Sequence, residues 1–386
     1  MKILLIHTFY NLKGGEDFVF EQESNLLSKH LIIDKLMFHN KQSFFGAFQF
    51  LLYFWNLSSS KRIKKSILEF KPDIIHVHNF HFASGPIIIR VANKLGIPIV
   101  VTLHNYRLLC PSATLLSNDS LFLDSITSRF PWLAIKKKLY RNSYIQTFWL
   151  GLVNWLHKKI GTWYLVDKYI VLTGFSKNIF LNSWLGRNPD KFVVKPNFIQ
   201  NYFVSPVSRN NKFLFVGRLS EEKGITLLLN VFKNIDYQLL IAGDGPLLDD
   251  VCTASNTYNN ITYLGSLNKS QILNEMNCCT ALLFPSIWYE GMPMTILEAF
   301  SVGTPVIASN LGAMASMITH KFNGLHFETG NSDSLKSALD FWVNSDERFK
   351  KLLQENAKLT YDLKYTPEKN LDFIIDIYKS VLVENT

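Results

Sequence analysis

Short runs of β-branched and other apolar residues alternate with longer amphipathic stretches along the whole chain. This alternation is typical of α/β proteins, in which helices cover a sheet of parallel strands. The apolar runs predict four strands in the first half and five in the second: Lys2–His7, Asp73–His78, Ile97–His104, Lys168–Thr173, Lys212–Gly217, Gln238–Ala242, Ile261–Leu264, Ala281–Phe284 and Pro305–Ala308. The pattern therefore predicts an α/β fold made of two doubly wound units.

A segment rich in proline, asparagine and serine, residues 194–211, separates the two sets of strands and is predicted to be a linker. We expect a first domain of residues 1–195 and a second of residues 196–365. The length of 386 residues and the apolar fraction of 47% suit two domains with well-filled cores. Because ligands of doubly wound sheets bind at the carboxyl ends of strands, the loops that follow the strands are the candidates for chemistry.

Composition excludes several classes of protein. The first strand is too short for a signal peptide, and no apolar run reaches the roughly 20 residues that span a bilayer. The four cysteines follow no metal-ligand spacing, which indicates buried, reduced thiols in a cytosolic protein: Cys110, Cys252, Cys278 and Cys279. The histidines at positions 76, 78 and 81 have no carboxylate or cysteine at a matching spacing, so we expect them to line a pocket and not to bind a metal.

Charge is distributed unevenly. Residues 1–200 contain 25 lysines and arginines against 11 acidic residues, a net charge of +14, whereas residues 201–386 contain 15 against 20, a net charge of −5. A basic half suits nucleic acid, anionic lipid or a phosphorylated substrate, although solubility alone also explains it. Residues 132–163 mix Lys136, Lys137 and Lys138 with Trp149 and Trp155. This mixture favours a membrane interface over RNA, since no RNA-binding motif is present, and an amphipathic core helix fits almost as well.

Two glutamates, Glu290 and Glu298, are separated by seven residues at the end of a predicted strand. Glu290 lies in the loop, and Glu298 lies one to two turns into a helix predicted over Met294–Val302. The free N–H groups at the start of that helix favour an anion. Two carboxylates for hydroxyl groups and a helix start for a phosphate suit a nucleotide-sugar, although a capped surface helix with an incidental acidic residue gives the same spacing.

Four further loops follow predicted strands. Arg218 and Lys223 follow the first strand of the second half, between glycines, and favour a diphosphate site over two solvated cations. Gly14 and Gly15 follow the first strand and permit close approach of a phosphate, although a flexible turn is the better explanation of these residues taken alone. His104 ends another strand and is predicted to face the ligand, although a lone histidine is most often a structural residue. The turn at residues 242–246 fits a nucleotide pocket and an ordinary strand-to-helix connection equally well.

In these motifs the chain resembles the retaining glycosyltransferases of family 4. The resemblance rests on the Pro-Ser loop and Glu-Gly-x-Pro motif of residues 285–293, the second glutamate, the Gly-x-Pro-Val-Ile-Ala of residues 303–308 and the Gly-Arg-x-x-x-x-Lys-Gly of residues 217–224. It implies a GT-B fold, in which two Rossmann-like domains face a central cleft. The first domain would bind the acceptor and the second the donor, and a C-terminal helix over residues 366–386 would pack back on the first.

The resemblance also implies roles for individual residues. Glu290 would hold a hydroxyl of the donor sugar, Glu298 would hold the ribose, and His104 would contact the donor sugar and help to orient the acceptor. The leaving diphosphate would be held by the side chains of Arg218 and Lys223 and by the backbone near Gly14, Gly15 and Met294.

The expected activity is metal-independent transfer of a hexose-type sugar, with retention, from a nucleotide-diphosphate sugar to a hydroxyl group. The acceptor would be a lipid-linked glycan of cell-surface polysaccharide (O-antigen or capsule) biosynthesis. We expect no cofactor, a UDP-sugar in preference to a GDP-sugar, no nucleic acid, and a peripheral position on the cytoplasmic face of the plasma membrane. The motif Asp-x-Asp, the metal anchor of the other main glycosyltransferase fold, is absent from the sequence.

Departures from the family pattern are few. Asp17 stands where the family often has glutamate, Gly312 is what remains of a glycine pair, and residues 117–124 lack the cysteines of a related subgroup, so details of the acceptor are not carried over. Two alternatives stay open: a sugar-nucleotide epimerase of similar fold, which needs no acceptor, and a non-catalytic membrane-binding relative.

Overall fold

The structure, a computed structural model of the chain, describes residues 1–11, 14–117, 120–202 and 207–385. Residues 203–206 of the predicted linker and residues 12–13 of the predicted glycine loop lie outside the described residues. Two compact units are formed. The first comprises Met1–Ser117, Phe122–Asn197 and Asn370–Thr386, and the second comprises Phe198–Lys369 with the short strand β6 (Ser120–Leu121).

The first unit alternates strands and helices. Its strands are β1 (Lys2–Phe9), β2 (Ile32–His39), β3 (Ile74–Val77), β4 (Ile99–Leu103), β5 (Leu116–Ser117), β7 (Lys168–Val171) and β8 (Phe192–Val194). Its helices are α1 (Gly15–Leu27), α2 (Ser43–Leu52), α3 (Leu57–Phe70), α4 (Ile87–Lys94), α5 (Asp124–Thr127), α6 (Trp132–Lys136), α7 (Tyr144–Lys159) and α8 (Gly174–Leu181), with 3₁₀ turns at Thr162–Leu165 and Pro189–Lys191.

The sheet of the first unit is parallel and has the strand order β2-β1-β3-β4-β7-β8. Every residue of β3 and β4 is buried, because helices cover both faces of the sheet. The C-terminal helix α16 (Pro367–Glu384) adds Ile374, Ile377 and Tyr378 to the core beneath β1. The chain therefore returns to the first unit at its end.

The second unit repeats this architecture. Its strands are β9 (Lys212–Val216), β10 (Gln238–Ala242), β11 (Ile261–Gly265), β12 (Ala281–Phe284), β13 (Val306–Ser309) and β14 (Gly324–Phe327). Its helices are α9 (Ile225–Phe232), α10 (Leu248–Thr257), α11 (Lys269–Cys278), α12 (Met294–Ser301), α13 (Gly312–Met317), α14 (Ser332–Asn344) and α15 (Glu347–Lys364), with a 3₁₀ turn at Glu221–Lys223.

The second sheet is also parallel, with the order β11-β10-β9-β12-β13-β14. Strand β9 lies in the middle and pairs Leu214 with Leu282 of β12. The order reverses between β9 and β12, since β10 and β11 extend from β9 and the later strands extend from β12. This reversal is the feature that positions ligand sites in open α/β sheets.

All nine predicted strands are present, with ends that differ by at most two residues, and the predicted fold class is confirmed. Five strands were not predicted: β2, β5, β6, β8 and β14. Of these, β2 carries several exposed residues and is an edge strand. The predicted domain boundary after residue 195 lies two residues before the change of unit at Asn197–Phe198. The cysteines are free as expected, but Cys252 and Cys278 are only half-buried.

Among the described residues, no helix combines the length and the apolar character that crossing a membrane requires.

Candidate active site

The loops that follow β9 and β12 lie side by side at the carboxyl edge of the second sheet, where the strand order reverses. They are joined through the backbone of Glu222, whose carbonyl accepts a hydrogen bond from the Ile287 N–H at 3.0 Å and lies 3.1 Å from the Ser286 hydroxyl. Gly224 precedes α9 with φ of +76°, and a Cβ there would lie 2.2 Å from the carbonyl oxygen of Pro285. Only glycine permits this approach of the two loops.

One carboxylate oxygen of Glu290 accepts three hydrogen bonds. Lys223 Nζ and Trp288 Nε1 each lie 2.6 Å from Glu290 Oε1, and the Ser286 hydroxyl lies 2.8 Å away. The side chain of Glu290 is nearly buried, so these donors replace the water that a carboxylate needs. Charge-assisted hydrogen bonds of this length are strong, and they fix the carboxylate in one position.

The Arg218 side chain, in contrast, is exposed and has no hydrogen bond or ion pair within the described part of the chain. It lines a cavity of about 270 Å³ together with Lys223 and with Thr295 from the first turn of α12. Helix α12 begins at Met294, and the unsatisfied N–H groups of a first turn favour an anion. Two cations and a helix start thus surround one cavity, an arrangement that suits a diphosphate.

Glu298 lies one turn along α12 from Met294 and forms an ion pair with Lys269 at the start of α11. Burial raises the pKa of Glu298, and the Lys269 ammonium opposes that rise. Glu298 does not line the cavity that Arg218 and Lys223 share. No sequence motif marks Lys269, which lies 29 positions before Glu298 on the preceding helix.

In the first unit, Gly14 and Gly15 are exposed at the start of α1. The Gly14 N–H donates to Asp17 Oδ2 at 2.9 Å, and Asp17 Oδ1 lies 2.7 Å from Nε2 of the buried His7. A Cβ at either glycine would meet nothing within 4 Å, so packing of the chain on itself does not require glycine at these two positions. The open space around both glycines fits the predicted close approach of a ligand to the backbone.

His104 follows β4 and is half-buried. Its Nε2 lies 3.2 Å from His78 Nδ1, with the two rings stacked at 5.5 Å between centroids. Burial, followed by the neighbouring charge of His78, holds the pKa of His104 well below its usual value. His104 is therefore neutral at physiological pH, so one of its ring nitrogens donates a hydrogen bond and the other accepts one.

A buried charge network that no sequence motif indicates lies next to His104 and His78. Glu23 of α1 forms an ion pair with Lys195 at 2.6 Å, and its other oxygen lies 3.4 Å from His78 Nε2 and 3.7 Å from His76 Nδ1. Burial alone would raise the pKa of Glu23, but Lys195 and the histidines hold it well below its usual value. No carboxylate stands at a matching spacing from the histidines in the sequence, because α1 folds over β3 and supplies Glu23 from another part of the chain.

The ligand atoms of Glu23, His76 and His78 lie within 4.8 Å of one another, so these described residues could hold a metal ion. Two observations oppose that role. Glu23 already pairs with the Lys195 ammonium, and both nitrogens of His76 lie within hydrogen-bond distance of hydroxyls, 2.7 Å from Tyr378 and 2.8 Å from Thr102. The donor set therefore fits an internal ion-pair network better than a metal centre.

The predicted site residues thus fall into separate groups. The structure brings Arg218, Lys223 and Glu290 together at one strand edge of the second unit, with Met294 at the adjoining helix start. Glu298 lies on the same helix but engages Lys269. Gly14, Gly15 and His104 belong to the first unit.

Comparisons with known proteins agree with this architecture. Residues 35–200 match the family model described as Glycosyltransferase Family 4, and residues 200–360 match that described as Glycosyl transferases group 1. An uncharacterized glycosyltransferase of Methanocaldococcus jannaschii is 27% identical over 84% of this chain and 80% of its own length. The UDP-Gal:alpha-D-GlcNAc-diphosphoundecaprenol alpha-1,3-galactosyltransferase of Escherichia coli is 26% identical over 85% of this chain and 79% of its own length.

Among solved structures, HepE from Anabaena in complex with UDP superposes with a TM-score of 0.67 and 16% identity, covering 98% of this chain and 100% of its own. At this identity the likeness concerns the fold alone. It confirms the predicted GT-B architecture of two Rossmann-like domains.

Proposed function

We propose that this chain, which belongs to the family-4 glycosyltransferases and has their GT-B fold, transfers a hexose with retention from a nucleotide-diphosphate sugar to a lipid-linked glycan. The observation that carries the proposal is the donor arrangement in the second unit. Glu290 is fixed by three hydrogen bonds beside a cavity that Arg218, Lys223 and the start of α12 surround.

The leaving group is the first chemical requirement of such a reaction. Negative charge grows on the diphosphate as its bond to the anomeric carbon breaks, and fixed donors that meet this charge lower the barrier. Arg218 offers a two-pronged fork for phosphate oxygens, and Lys223 offers a point charge. The backbone N–H groups near Met294 complete the site, and the exposed backbone of Gly14 and Gly15 is the proposed contribution of the first unit.

The sugar and ribose hydroxyls are the second requirement. Glu290 is proposed to accept a hydrogen bond from a hydroxyl of the donor sugar, since one of its oxygens is already committed to Lys223, Ser286 and Trp288. Glu298 is proposed to hold the ribose, with Lys269 keeping its carboxylate in place. His104, as a neutral imidazole, is proposed to contact the donor sugar and help to orient the acceptor.

The proposed donor is a UDP-sugar, and no cofactor or metal ion is assigned a role. Support for uridine comes from relatives: the E. coli enzyme is named for UDP-Gal, and the HepE structure holds UDP. The metal-independent reaction is proposed because Arg218 and Lys223 can neutralise the diphosphate that a divalent ion neutralises in other enzymes.

The acceptor is proposed to be lipid-linked, with the enzyme attached peripherally to the cytoplasmic face of the membrane during synthesis of a cell-surface polysaccharide. The E. coli relative carries diphosphoundecaprenol in its name, and another relative, 26% identical over 51% of this chain, is an O-antigen chain mannosyltransferase of E. coli. The net charge of +14 in residues 1–200 suits an anionic surface.

Thermal unfolding with a panel of nucleotides tests the donor class. Ligand binding to the folded state adds stability, about 2.7 kcal/mol at a hundredfold excess over Kd. We expect UDP and UDP-hexoses to raise Tm more than GDP, ADP or inorganic pyrophosphate, and Arg218→Ala to remove most of the shift. A shift that is equal for all nucleotides and survives Arg218→Ala would contradict the donor site.

A further inference from the structure

The first unit contains a cavity of about 870 Å³ that the proposed donor site does not use. This volume lies within the range of about 300–1,000 Å³ that is usual for small-molecule sites. Helix α2 and the start of α7 form its walls. The apolar side chains that line it are Phe50, Leu51, Phe82, Ile145, Phe148 and Trp149. Such a lining suits a hydrocarbon ligand better than a sugar.

Arg107 gives this apolar cavity a charged inner wall. Its Nε and Nη1 atoms are buried and make no hydrogen bond to any described residue, while the guanidinium lies 5.5 Å from the centre of the Phe82 ring and 5.4 Å from that of Tyr140. Glu16 acts on Arg107 electrostatically but forms no ion pair with it among the described residues. Buried donors without acceptors are costly, so a ligand that supplies anionic oxygens is favoured.

The charges around the cavity are complementary to a strongly anionic group. Lys41 and Arg141 are exposed lining residues, and no acidic residue is among the described residues that line the cavity. With Arg107 they bring three positive charges to one space. A diphosphate carries more negative charge than the single phosphate of a common phospholipid and matches three cations better.

The wall formed by α2 also exposes a row of large apolar side chains. Phe44, Phe45, Phe48 and Leu51 are 79%, 64%, 53% and 60% exposed. Apolar residues grouped on one helix and flanked by Lys41 are typical of a segment that lies in a membrane interface. A lipid could therefore pass from the bilayer along α2 into the cavity while its charged end reaches Arg107.

We propose that the cavity between α2 and α7 binds the polyprenyl diphosphate part of the acceptor, with isoprene units along Phe50 and Trp149 and the diphosphate on Arg107. This inference rests on the proposed function, because it specifies the lipid of the proposed acceptor. It assigns Arg107 to positioning of the acceptor, and it leaves the donor residues unchanged.

Titration with farnesyl diphosphate, a short monomeric polyprenyl diphosphate, tests the cavity without any donor. Binding is followed by calorimetry and by the change in intrinsic tryptophan fluorescence. We expect farnesyl diphosphate to bind at least about tenfold more tightly than farnesol, and inorganic pyrophosphate to bind weakly, because chain and charge both contribute. Equal binding of farnesol and farnesyl diphosphate, or displacement of the probe by phosphatidylglycerol vesicles at equal lipid concentration, would overturn the assignment.

Two variants separate the charge from the cavity. Arg107→Met keeps the length of the side chain and should remove the preference for farnesyl diphosphate over farnesol, whereas Arg187→Met, at an exposed arginine outside the cavity, should not. Ala47 lies on α2 and lines the cavity, so Ala47→Trp should weaken the binding of both ligands at least about tenfold. Leu68→Trp, at an exposed position of α3, should not. Unchanged binding in Ala47→Trp would overturn the location.

The Tm shift with UDP is measured on the same preparations, so the two proposals can fail separately. Loss of the UDP shift in the wild type together with normal farnesyl diphosphate binding would contradict the donor function alone. A normal UDP shift without farnesyl diphosphate binding would contradict the lipid site alone.

Discussion

Lys223 and Glu290 form an ion pair with 2.6 Å between Nζ and Oε1, although 67 positions separate them in the chain. The pair joins the loop after β9 to the loop after β12, so the cation of one and the carboxylate of the other are positioned together. Arg218, five residues before Lys223, is exposed and has no such partner among the residues that the structure describes. The two cations of the proposed donor site should therefore respond differently to mutation.

Arg218→Ala should reduce kcat by about a hundredfold or more and leave Tm unchanged. The loss of one charge-assisted contact to a leaving diphosphate costs about 2–4 kcal/mol of barrier, whereas an exposed side chain without partners adds little stability. Steady-state kinetics and thermal unfolding test both parts. Arg348→Ala, at another exposed arginine of the second unit, is the control, and near-normal turnover in Arg218→Ala would remove this residue from the mechanism.

Lys223→Ala should reduce kcat similarly and also lower the free energy of unfolding by about 1–3 kcal/mol, because Glu290 loses one of its three donors while nearly buried. The motif in the sequence indicates only a charged residue in the ligand loop, and no local pattern indicates this pairing. Denaturant titration of Lys223→Ala, Glu290→Gln and the double variant measures the coupling. Additive changes in the free energy of unfolding would show that the pair contributes nothing to stability.

Glu298→Gln and Glu290→Gln should separate binding from chemistry. Ribose contacts act equally in the ground and transition states, so Glu298→Gln should weaken UDP binding more than it lowers the single-turnover rate. Glu290→Gln should chiefly lower that rate. Titration with UDP and single-turnover measurements with excess enzyme give the two quantities. Normal UDP affinity in Glu298→Gln would mean that the two roles are wrongly divided.

Features that depend on neighbouring residues in the chain could be predicted from the sequence, whereas contacts between separate segments could not. Buried strands such as β9 and β12 were predicted, because their apolar runs and the Gly217 and Pro285 that follow them are local signals. The edge strand β2 was missed, since half-exposed residues give a weaker pattern. Arg218, Lys223 and Glu290 were predicted through motifs at strand ends. Ion-pair partners on other helices, such as Lys269 for Glu298 and Glu23 for His78, could not be predicted, because only the folded chain brings them together.

Chelation tests the proposed independence from metal ions. Because Arg218 and Lys223 supply fixed positive charge where the diphosphate is proposed to bind, EDTA should leave most of the transferase activity. The assay compares initial rates after dialysis against EDTA with rates after addition of magnesium or manganese. Complete loss of activity that only a divalent ion restores would contradict the proposal.

Glu16 should give the protein a measurable pH dependence of stability. Burial raises its pKa to about 7, an effect that Arg107 partly opposes, so the folded state binds a proton that the unfolded state has released above its ordinary pKa of about 4.5. The free energy of unfolding should consequently fall as pH rises from about 4.5 to about 7. Glu16→Gln should flatten this dependence, and Glu69→Gln, at an exposed carboxylate of α3, should not. Parallel pH profiles for the wild type and Glu16→Gln would contradict the assignment.

Attachment to anionic membranes through the first unit is the last prediction. Some of the basic and aromatic residues that suggested membrane attachment are exposed in the structure, and others are not. Trp132 is 59% exposed beside Lys136 and Lys137, whereas Trp149 is half-buried and donates its Nε1 hydrogen to the carbonyl of Phe50. The surface available to a membrane is therefore α6 with Lys136 and the two lysines that follow it, together with the exposed phenylalanines of α2.

Replacing Lys136, Lys137 and Lys138 with glutamate should reduce sedimentation with anionic vesicles and leave UDP affinity unchanged. Each basic residue near such a surface contributes on the order of 1 kcal/mol, and salt screens this attraction within about 10 Å at 0.1 M. Lys138 lies 4.6 Å from the centre of the Tyr144 ring, so Lys138→Met serves as a control for the loss of that contact without a reversal of charge. The wild type should bind anionic vesicles at low salt, lose them at high salt and bind neutral vesicles weakly. Equal partition onto neutral and anionic vesicles would show that the exposed apolar residues alone govern attachment, and the absence of binding to either would favour an acceptor that is not embedded in a membrane.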